Sequence, residues 1–271
     1  MSAFVVAEAA GCHDGDLRKA LRLVRLAHEV GADAVKFQWL SSPERLAARR
    51  RALKYLPAYR TLAFPLAWFP LLASFCDAVG VEFMCTAYLP EDVPTVAEYV
   101  RRFKVSSFEA LDRHFVCSHA EFRKPLIISA GMGADVRGVL RAYGAAYGAA
   151  AAEARVDVLY CVSAYPCPTD QICLRKLRFG GVIYGGLSDH TRHPLTGAVA
   201  VAAGARIVEF HARLEDTSTG NADFAVERPP AEAAEYVRNI RAAEELLGRE
   251  DGGMAPAEVG MLLHRAPSSG A

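Results

Sequence analysis

Two lysines occupy positions where an ammonium group is costly to bury. Lys36 lies in Asp33-Ala34-Val35-Lys36-Phe37-Gln38 and Lys104 in Phe103-Lys104-Val105-Ser106-Ser107; both runs are strongly apolar, so each lysine needs an anion. One source is a barrel carboxylate such as Glu8 or Glu109. The other is a bound substrate carrying phosphate and carboxylate, with Ser107, Ser129 and Ser188 adding hydroxyl and backbone donors. The residues alone leave both open. His190 and His211 form a second pair, each at the end of an apolar run. Imidazole is a common nitrogen ligand for a catalytic divalent metal, and Glu8 is placed to add an oxygen. A lone histidine is more often structural, so the metal reading rests on the two converging.

These residues must be brought together by the elements between them. Short β-branched segments alternate with longer stretches of helical period, the pattern of repeated β/α units around a parallel sheet. Eight strands are predicted: Phe4 to Ala7, Ala34 to Phe37, Val81 to Cys85, Phe103 to Ser106, Leu126 to Ser129, Val156 to Cys161, Val182 to Gly186 and Arg206 to Phe210. Between the first two, Leu17, Ala20, Leu21, Val24 and Ala27 recur at helical spacing behind the N-cap Asp16, and Gly31 ends the helix. The last helix is predicted from Ala231 to Leu247, after Pro229-Pro230. The fold class expected is a single-domain α/β protein, a (β/α)8 TIM barrel over residues 1–248, with a loose tail over 249–271. In that fold the polar groups at the carboxyl ends of the strands share one rim: Glu8; Lys36 and Gln38; Thr86; Lys104, Ser107 and Glu109; Ser129; Ser163 and Tyr165; Ser188, Asp189 and His190; Glu209 and His211. His13, just after the first strand, is placed near the same rim.

The basic run Arg45 to Arg51 lies in an insertion, residues 41–62, after the second strand. It reads first as a solvated helix face and second as a lid or partner contact. The alanine-rich stretch Ala142 to Ala154 reads as a closely packed helix.

Several function classes are excluded. Lysine plus arginine equals aspartate plus glutamate, 31 each, so no net field draws nucleic acid or an anionic membrane. The start has no basic leader and no apolar run is long enough to span a bilayer, which makes a cytoplasmic protein the expectation. Seven cysteines, an odd number without a C-x-x-C pair, read as reduced thiols. Gly131-Met132-Gly133 is too short for a dinucleotide fingerprint, and adjacent Ser188-Asp189-His190 cannot make a hydrolase triad.

The ordered segments EAAGCHDGD (Glu8 to Asp16), GADAVKFQ (Gly31 to Gln38), EFMCTA (Glu82 to Ala87), KVSSFE (Lys104 to Glu109), KPLIISAGM (Lys124 to Met132), YCVSAYPCP (Tyr160 to Pro168), GLSDHT (Gly186 to Thr191) and VEFH (Val208 to His211) resemble the sialic acid synthase family, the N-acetylneuraminate synthase-like enzymes that condense phosphoenolpyruvate with an aldose. The resemblance runs from about Val6 to Gly248. It implies that Lys104, Ser107, Ser129 and Ser188 hold the phosphate, while Lys36, Gln38 and Thr86 surround the enol and carboxylate. It also implies that Glu8, Ser163, Tyr165 and Asp223 face the acceptor, and that Glu109 sits near the reacting carbons. His190 and His211 would hold Mn²⁺ or Mg²⁺, with Glu8 or Glu109 as proton carrier and Lys36 at the reacting enol.

The partners implied are phosphoenolpyruvate and an aldehyde. The sequence stops before the family's C-terminal antifreeze-like domain, which contributes an arginine to the acceptor site, so an acceptor other than N-acetylmannosamine is expected. Arg192, Arg213 and the lid arginines are the available replacements. A homo-oligomer would then form barrel to barrel. Gly220-Asn221-Ala222-Asp223 in place of Gly-Pro-Asp, and Tyr160 in place of a common histidine, also depart from the family on the acceptor side. The remaining alternatives are an octulosonate or heptulosonate phosphate type of synthase, or an inactive barrel that binds a partner through Arg45 to Arg51.

Overall fold

The computed structural model describes residues 2–148, 156–179, 184–248 and 253–264. Its eight strands are β1 (Phe4–Ala10), β2 (Ala34–Trp39), β3 (Glu82–Ala87), β4 (Phe103–Val105), β5 (Leu126–Ala130), β6 (Val156–Tyr160), β7 (Gly186–Asp189) and β8 (Ile207–His211). The helices are α1 (Leu17–Glu29), α2 (Pro43–Arg49), α3 (Leu56–Leu62), α4 (Trp68–Val79), α5 (Val93–Tyr99), α6 (Arg113–Cys117), α7 (Val136–Tyr147), α8 (Arg175–Phe179), α9 (Thr196–Ala202) and α10 (Pro230–Leu247). The strands run parallel in the order β3-β2-β1-β8-β7-β6-β5-β4. β3 packs beside β4 at the seam, so the sheet curls into a (β/α)8 barrel.

The local rules that predicted the elements hold at their ends. Asp16 caps α1, its carboxylate accepting from the Arg18 amide at 2.8 Å, and Gly31 beyond the helix adopts φ +80°. Pro230 opens α10 at the first helical position, where its missing N–H is no loss. The largest correction concerns β7. Val182 and Ile183, outside the described residues, drew the strand prediction, whereas the ladder to β8 runs through Gly186↔Ile207 to Asp189↔Phe210. Gly186 is required there, because a Cβ would lie 2.1 Å from the Ile207 carbonyl oxygen. The predicted helix Ala142 to Ala154 is α7 up to Tyr147; residues 149–155 lie outside the described ones. In the segment expected as a loose tail, Pro256–His264 forms an exposed 3-10 helix. No described helix is long and apolar enough to cross a membrane, and all seven cysteines are free thiols.

Side chains alternate along each strand, and this divides the barrel into layers. Val6, Ala34, Met84, Ile127, Leu159 and Ile207 form one buried apolar cluster that plugs the interior. Two residues further along, the same inward faces carry Glu8, Lys36, Thr86, Ser129 and Glu209, and two further still Gln38 and His211. The opposite face, with Val5, Ala7, Val35, Phe37, Val105, Val208 and Phe210, belongs to the large core under the helices.

Candidate active site

The polar layer above the plug is a charge network. Register places Glu8 beside both Lys36 and His211, and Ser188 beside Glu209. Lys36 pairs with Glu8, lies 3.5 Å from Glu209 and donates to the Thr86 hydroxyl at 3.2 Å. Lys104 lies 3.2 Å from Glu209 and donates to Ser129 Oγ at 2.8 Å. Ser188 donates to Glu209 at 2.9 Å. Each lysine therefore already has a carboxylate partner. Glu8 is one, as expected; the other is Glu209 rather than Glu109, because Glu209 shares the inward face of β8 with His211, while Glu109 lies beyond the end of β4.

Burial sets the protonation of this layer and the charges oppose it. Burial disfavours ionised Glu209, yet Lys104 and Lys36 hold its carboxyl down to about 2. Burial likewise disfavours charged Lys36, but Glu209 and Glu8 outweigh it and raise its pKa. Lys104 is lowered by burial that its partners only partly offset. Glu8 is raised by burial, against the pull of Lys36. The four charges sum to zero when all are ionised.

The two imidazoles stand together over this layer, ring centroids 5.4 Å apart, with the Tyr165 ring 4.1 Å from that of His190. His190 Nδ1 faces the Val162 carbonyl oxygen at 2.6 Å, which leaves Nε2 free. His211 Nδ1 is buried without a hydrogen-bond partner, 3.6 Å from Asp223 Oδ2. Burial lowers the pKa of both rings, His211 more so because His190 adds to it. Burial and Glu8 raise Asp223 to about 6. Two neutral imidazoles, one with an unpartnered nitrogen, suit a divalent cation. Among the described residues no group of three His, Cys, Asp or Glu side chains is arranged around one point. A cation here would keep water or substrate oxygens in its other positions, as Mg²⁺ usually does.

Asp189, between Ser188 and His190, points the other way. It accepts from the Tyr236 hydroxyl at 2.7 Å and from Arg228 at 3.2 Å, both fully buried. This contact ties β7 to α10 and the preceding loop, so the segment that presents His190 is anchored from behind. Gly131 gives the rim of β5 and β6 room: a Cβ there would lie 2.3 Å from Ser163 Oγ and 2.9 Å from Cys161 Sγ.

A cavity of about 1050 Å³ opens above the network. Of the residues singled out from the sequence, Glu8, Lys36, Gln38, Lys104, Ser107, Glu109, Ser129, Tyr165, Ser188, His190, His211 and Asp223 line it. Thr86 and Ser163 stand one layer behind, Thr86 under Lys36 and Ser163 donating to Ser107 Oγ at 2.8 Å. His13 is not at the rim. It is wholly buried against Phe64 and Trp68, and burial lowers its pKa to about 4. The insertion after β2 does cover the mouth: Arg45 and Arg51 face solvent, while Arg49 and Arg50 turn inward and line the cavity. Sequence reasoning left Glu209 without a role and did not single out Arg50 or Tyr88. For Glu209 a signal existed, since two buried lysines call for two carboxylates on inward faces.

A parallel (β/α)8 barrel with buried lysines, serines and a histidine pair gathered at the carboxyl rim has the architecture of a barrel enzyme. The sequence profile of the NeuB family matches residues 23–252, and the chain belongs to that family. It is 30% identical to the N,N'-diacetyllegionaminic acid synthase of Legionella pneumophila, covering 92% of this chain and 74% of that protein. It is 29% identical to the human N-acetylneuraminate-9-phosphate synthase, covering 94% and 74%. Among solved structures, the sialic acid synthetase of Leptospira borgpetersenii, determined with citrate, superposes with a TM-score of 0.84 at 24% identity, covering 98% of this chain and 92% of that one. The last comparison concerns the fold alone.

Proposed function

We propose that the chain is a C–C bond-forming synthase of the sialic acid type that condenses phosphoenolpyruvate with an aldehyde, an aldose or sugar-like acceptor, to give a 2-keto-3-deoxy acid and inorganic phosphate. The observation that carries this reading is the convergence, in one cavity, of two buried lysines, three serines and two histidines from five different strands or their ends. Membership of a family whose named relatives are sialic, legionaminic and pseudaminic acid synthases supports it.

In this reading Lys104, with Ser107, Ser129 and Ser188, receives the phosphate, which displaces Glu209 as the partner of Lys104. Lys36, steadied by Thr86 and Glu8, and Gln38 orient the enol and carboxylate. Tyr165 and Asp223 face the acceptor, with Ser163 bracing Ser107 behind it. His190 and His211 would hold Mn²⁺ or Mg²⁺, which when bound polarises the acceptor carbonyl. The enol C3 then bonds to the aldehyde carbon, whose oxygen takes up a proton. Water adds to the cationic C2 and gives up a proton, and collapse of that adduct breaks the C2–O bond to release phosphate. Glu8 and Glu109 are the carboxyl groups placed to carry those protons.

The cations at the mouth, Arg49, Arg50 and Arg113, are each paired, with Asp112, Glu109 and Asp135, so the second phosphate of a heptulosonate-type acceptor would have to displace a carboxylate there, as the first does at Lys104. The test is incubation with phosphoenolpyruvate, Mn²⁺ and a panel of aldoses and phosphorylated aldoses. Phosphate release that requires an unphosphorylated aldehyde supports the reading. Release with none of them opposes it, and release only with phosphorylated aldoses keeps the condensation but assigns a phosphorylated acceptor, as in the heptulosonate type and as the product name of the human 9-phosphate synthase implies.

A further inference from the structure

The insertion after β2 reaches the chemistry through one side chain. We propose that Arg50 is a positioning residue for Glu109, so that closure of α2 and α3 over the mouth and the setting of a reactive carboxylate are one event. This rests on the reading of Glu109 as a proton carrier.

Backbone geometry explains why Arg50 turns inward. It caps α2 in a helical conformation, and the next residue, Arg51, takes φ +50° in the left-handed region, which throws the chain outward immediately afterwards. The Arg50 Nε donates to Glu109 Oε1 at 3.0 Å, and Nη2 donates to the same oxygen. The Ser106 hydroxyl donates to the other oxygen, Oε2. One oxygen of Glu109 is thus gripped from the lid and one from the barrel rim, and the carboxylate is only 4% exposed.

The guanidinium is itself boxed by three rings, with centroids 5.4 Å away at Tyr59 of α3, 5.1 Å at Tyr88 after β3 and 5.1 Å at Phe108 after β4. Tyr88 donates its hydroxyl to Gln38, so the same box reaches the residue assigned to the carboxylate side of the enol. Holding the lid down does not by itself require this arrangement. The neighbouring Arg49 already does so, donating to the Tyr88 carbonyl at 3.1 Å and to Asp112 at 2.8 Å with its guanidinium 4.9 Å from the Phe115 ring centre. Arg49 addresses the outer edge of the β4 loop, whereas Arg50 addresses a carboxylate inside the cavity. Burial opposes the Arg50 charge, yet Glu109, Tyr88 and Tyr59 together more than compensate.

Steady-state kinetics on R50A, R50K, R49A, E109Q and the double variant R50A/E109Q test the proposal. R50A is expected to lower kcat about a hundredfold, in the range of a misplaced acid–base group, while KM for phosphoenolpyruvate stays within about threefold. R50K, which keeps the charge but not the fork, recovers part of that loss. In the E109Q background R50A adds less than about threefold, because both changes remove one function. R49A loosens the same lid while leaving Arg50 to reach Glu109, and is expected to lower kcat in the same sense as R50A but by less. Multiplicative effects of R50A and E109Q, or an R49A that loosens the lid with kcat unchanged, would overturn the proposal. E109Q as fast as wild type would overturn it too and leave the condensation reading standing. Amide hydrogen exchange over residues 43–62, measured without substrate, supplies a readout independent of turnover. Equal loss of protection in R50A and E109Q supports the coupling, and protection unchanged in both refutes it even if no acceptor is found.

Discussion

Replacing Glu209 by glutamine isolates the charge network from the shape of the site. The side chain keeps its size, but the quartet Glu8, Lys36, Glu209 and Lys104 is left with one unmatched positive charge. Glu209 drops from an ordinary 4.5 to about 2 in the folded chain; at about 1.4 kcal/mol per pH unit its ionised form contributes about 3 kcal/mol. The sign follows from the depressed value: the contribution is present above pH 4.5 and lost as pH falls through 2. Breaking a buried ion pair from one side costs about 3–5 kcal/mol, which agrees. E209Q should therefore melt about 6–12 °C below wild type at pH 7. The vacated Lys104 should also receive an anion more readily, since phosphate no longer competes with a resident carboxylate, so phosphoenolpyruvate should bind about tenfold more tightly, about 1.4 kcal/mol. Urea melts give the stability difference and isothermal calorimetry the affinity. An E209Q protein within about 1 kcal/mol of wild type, with unchanged affinity for phosphoenolpyruvate, would refute the network as described.

Two further outcomes concern the histidine pair and a buried carboxyl group outside the cavity lining. The double variant H190A/H211A should abolish Mn²⁺ binding followed by electron paramagnetic resonance while the circular dichroism spectrum is retained; undiminished binding would place the metal elsewhere. Glu227 is wholly buried with neither carboxyl oxygen hydrogen-bonded, and burial pushes it from 4.5 up to about 8. The unfolded chain ionises first, so stability is lost as pH rises from about 4.5 through about 8, by roughly 5 kcal/mol in all. E227Q should gain stability relative to wild type at pH 8 and not at pH 5, and equal differences in urea at both pH values would contradict that.

The barrel was legible because its information is local and periodic. Eight apolar segments at β/α spacing, the Asp16 cap and Pro229-Pro230 each carry their meaning within a few residues. Much of the candidate site was legible for the same reason, since period-two alternation puts Lys36 with Gln38, and Ser188 with His190, on inward faces. Glu209 and His211 obey the same rule, and applying it to Val-Glu-Phe-His would have paired Glu209 with the lysines. Pairings between distant residues were not legible. Arg50 meets Glu109 across 59 positions, and nothing local separates an inward Arg50 from an outward Arg51 except a turn to positive φ. His13 failed for the opposite reason: its neighbours Gly11, Asp14 and Gly15 read as an open loop, while Phe64 and Trp68, which enclose it, come from a later segment.

The central claim is that this cavity joins a three-carbon enol phosphate to an aldehyde carbon. Turnover of phosphoenolpyruvate labelled with ¹³C at C3, with an aldehyde labelled with ¹³C at C1, should yield a product showing direct one-bond carbon–carbon coupling between the labels, together with one phosphate per product. Labelled pyruvate and phosphate without that coupling, for every aldehyde that supports turnover, would contradict it.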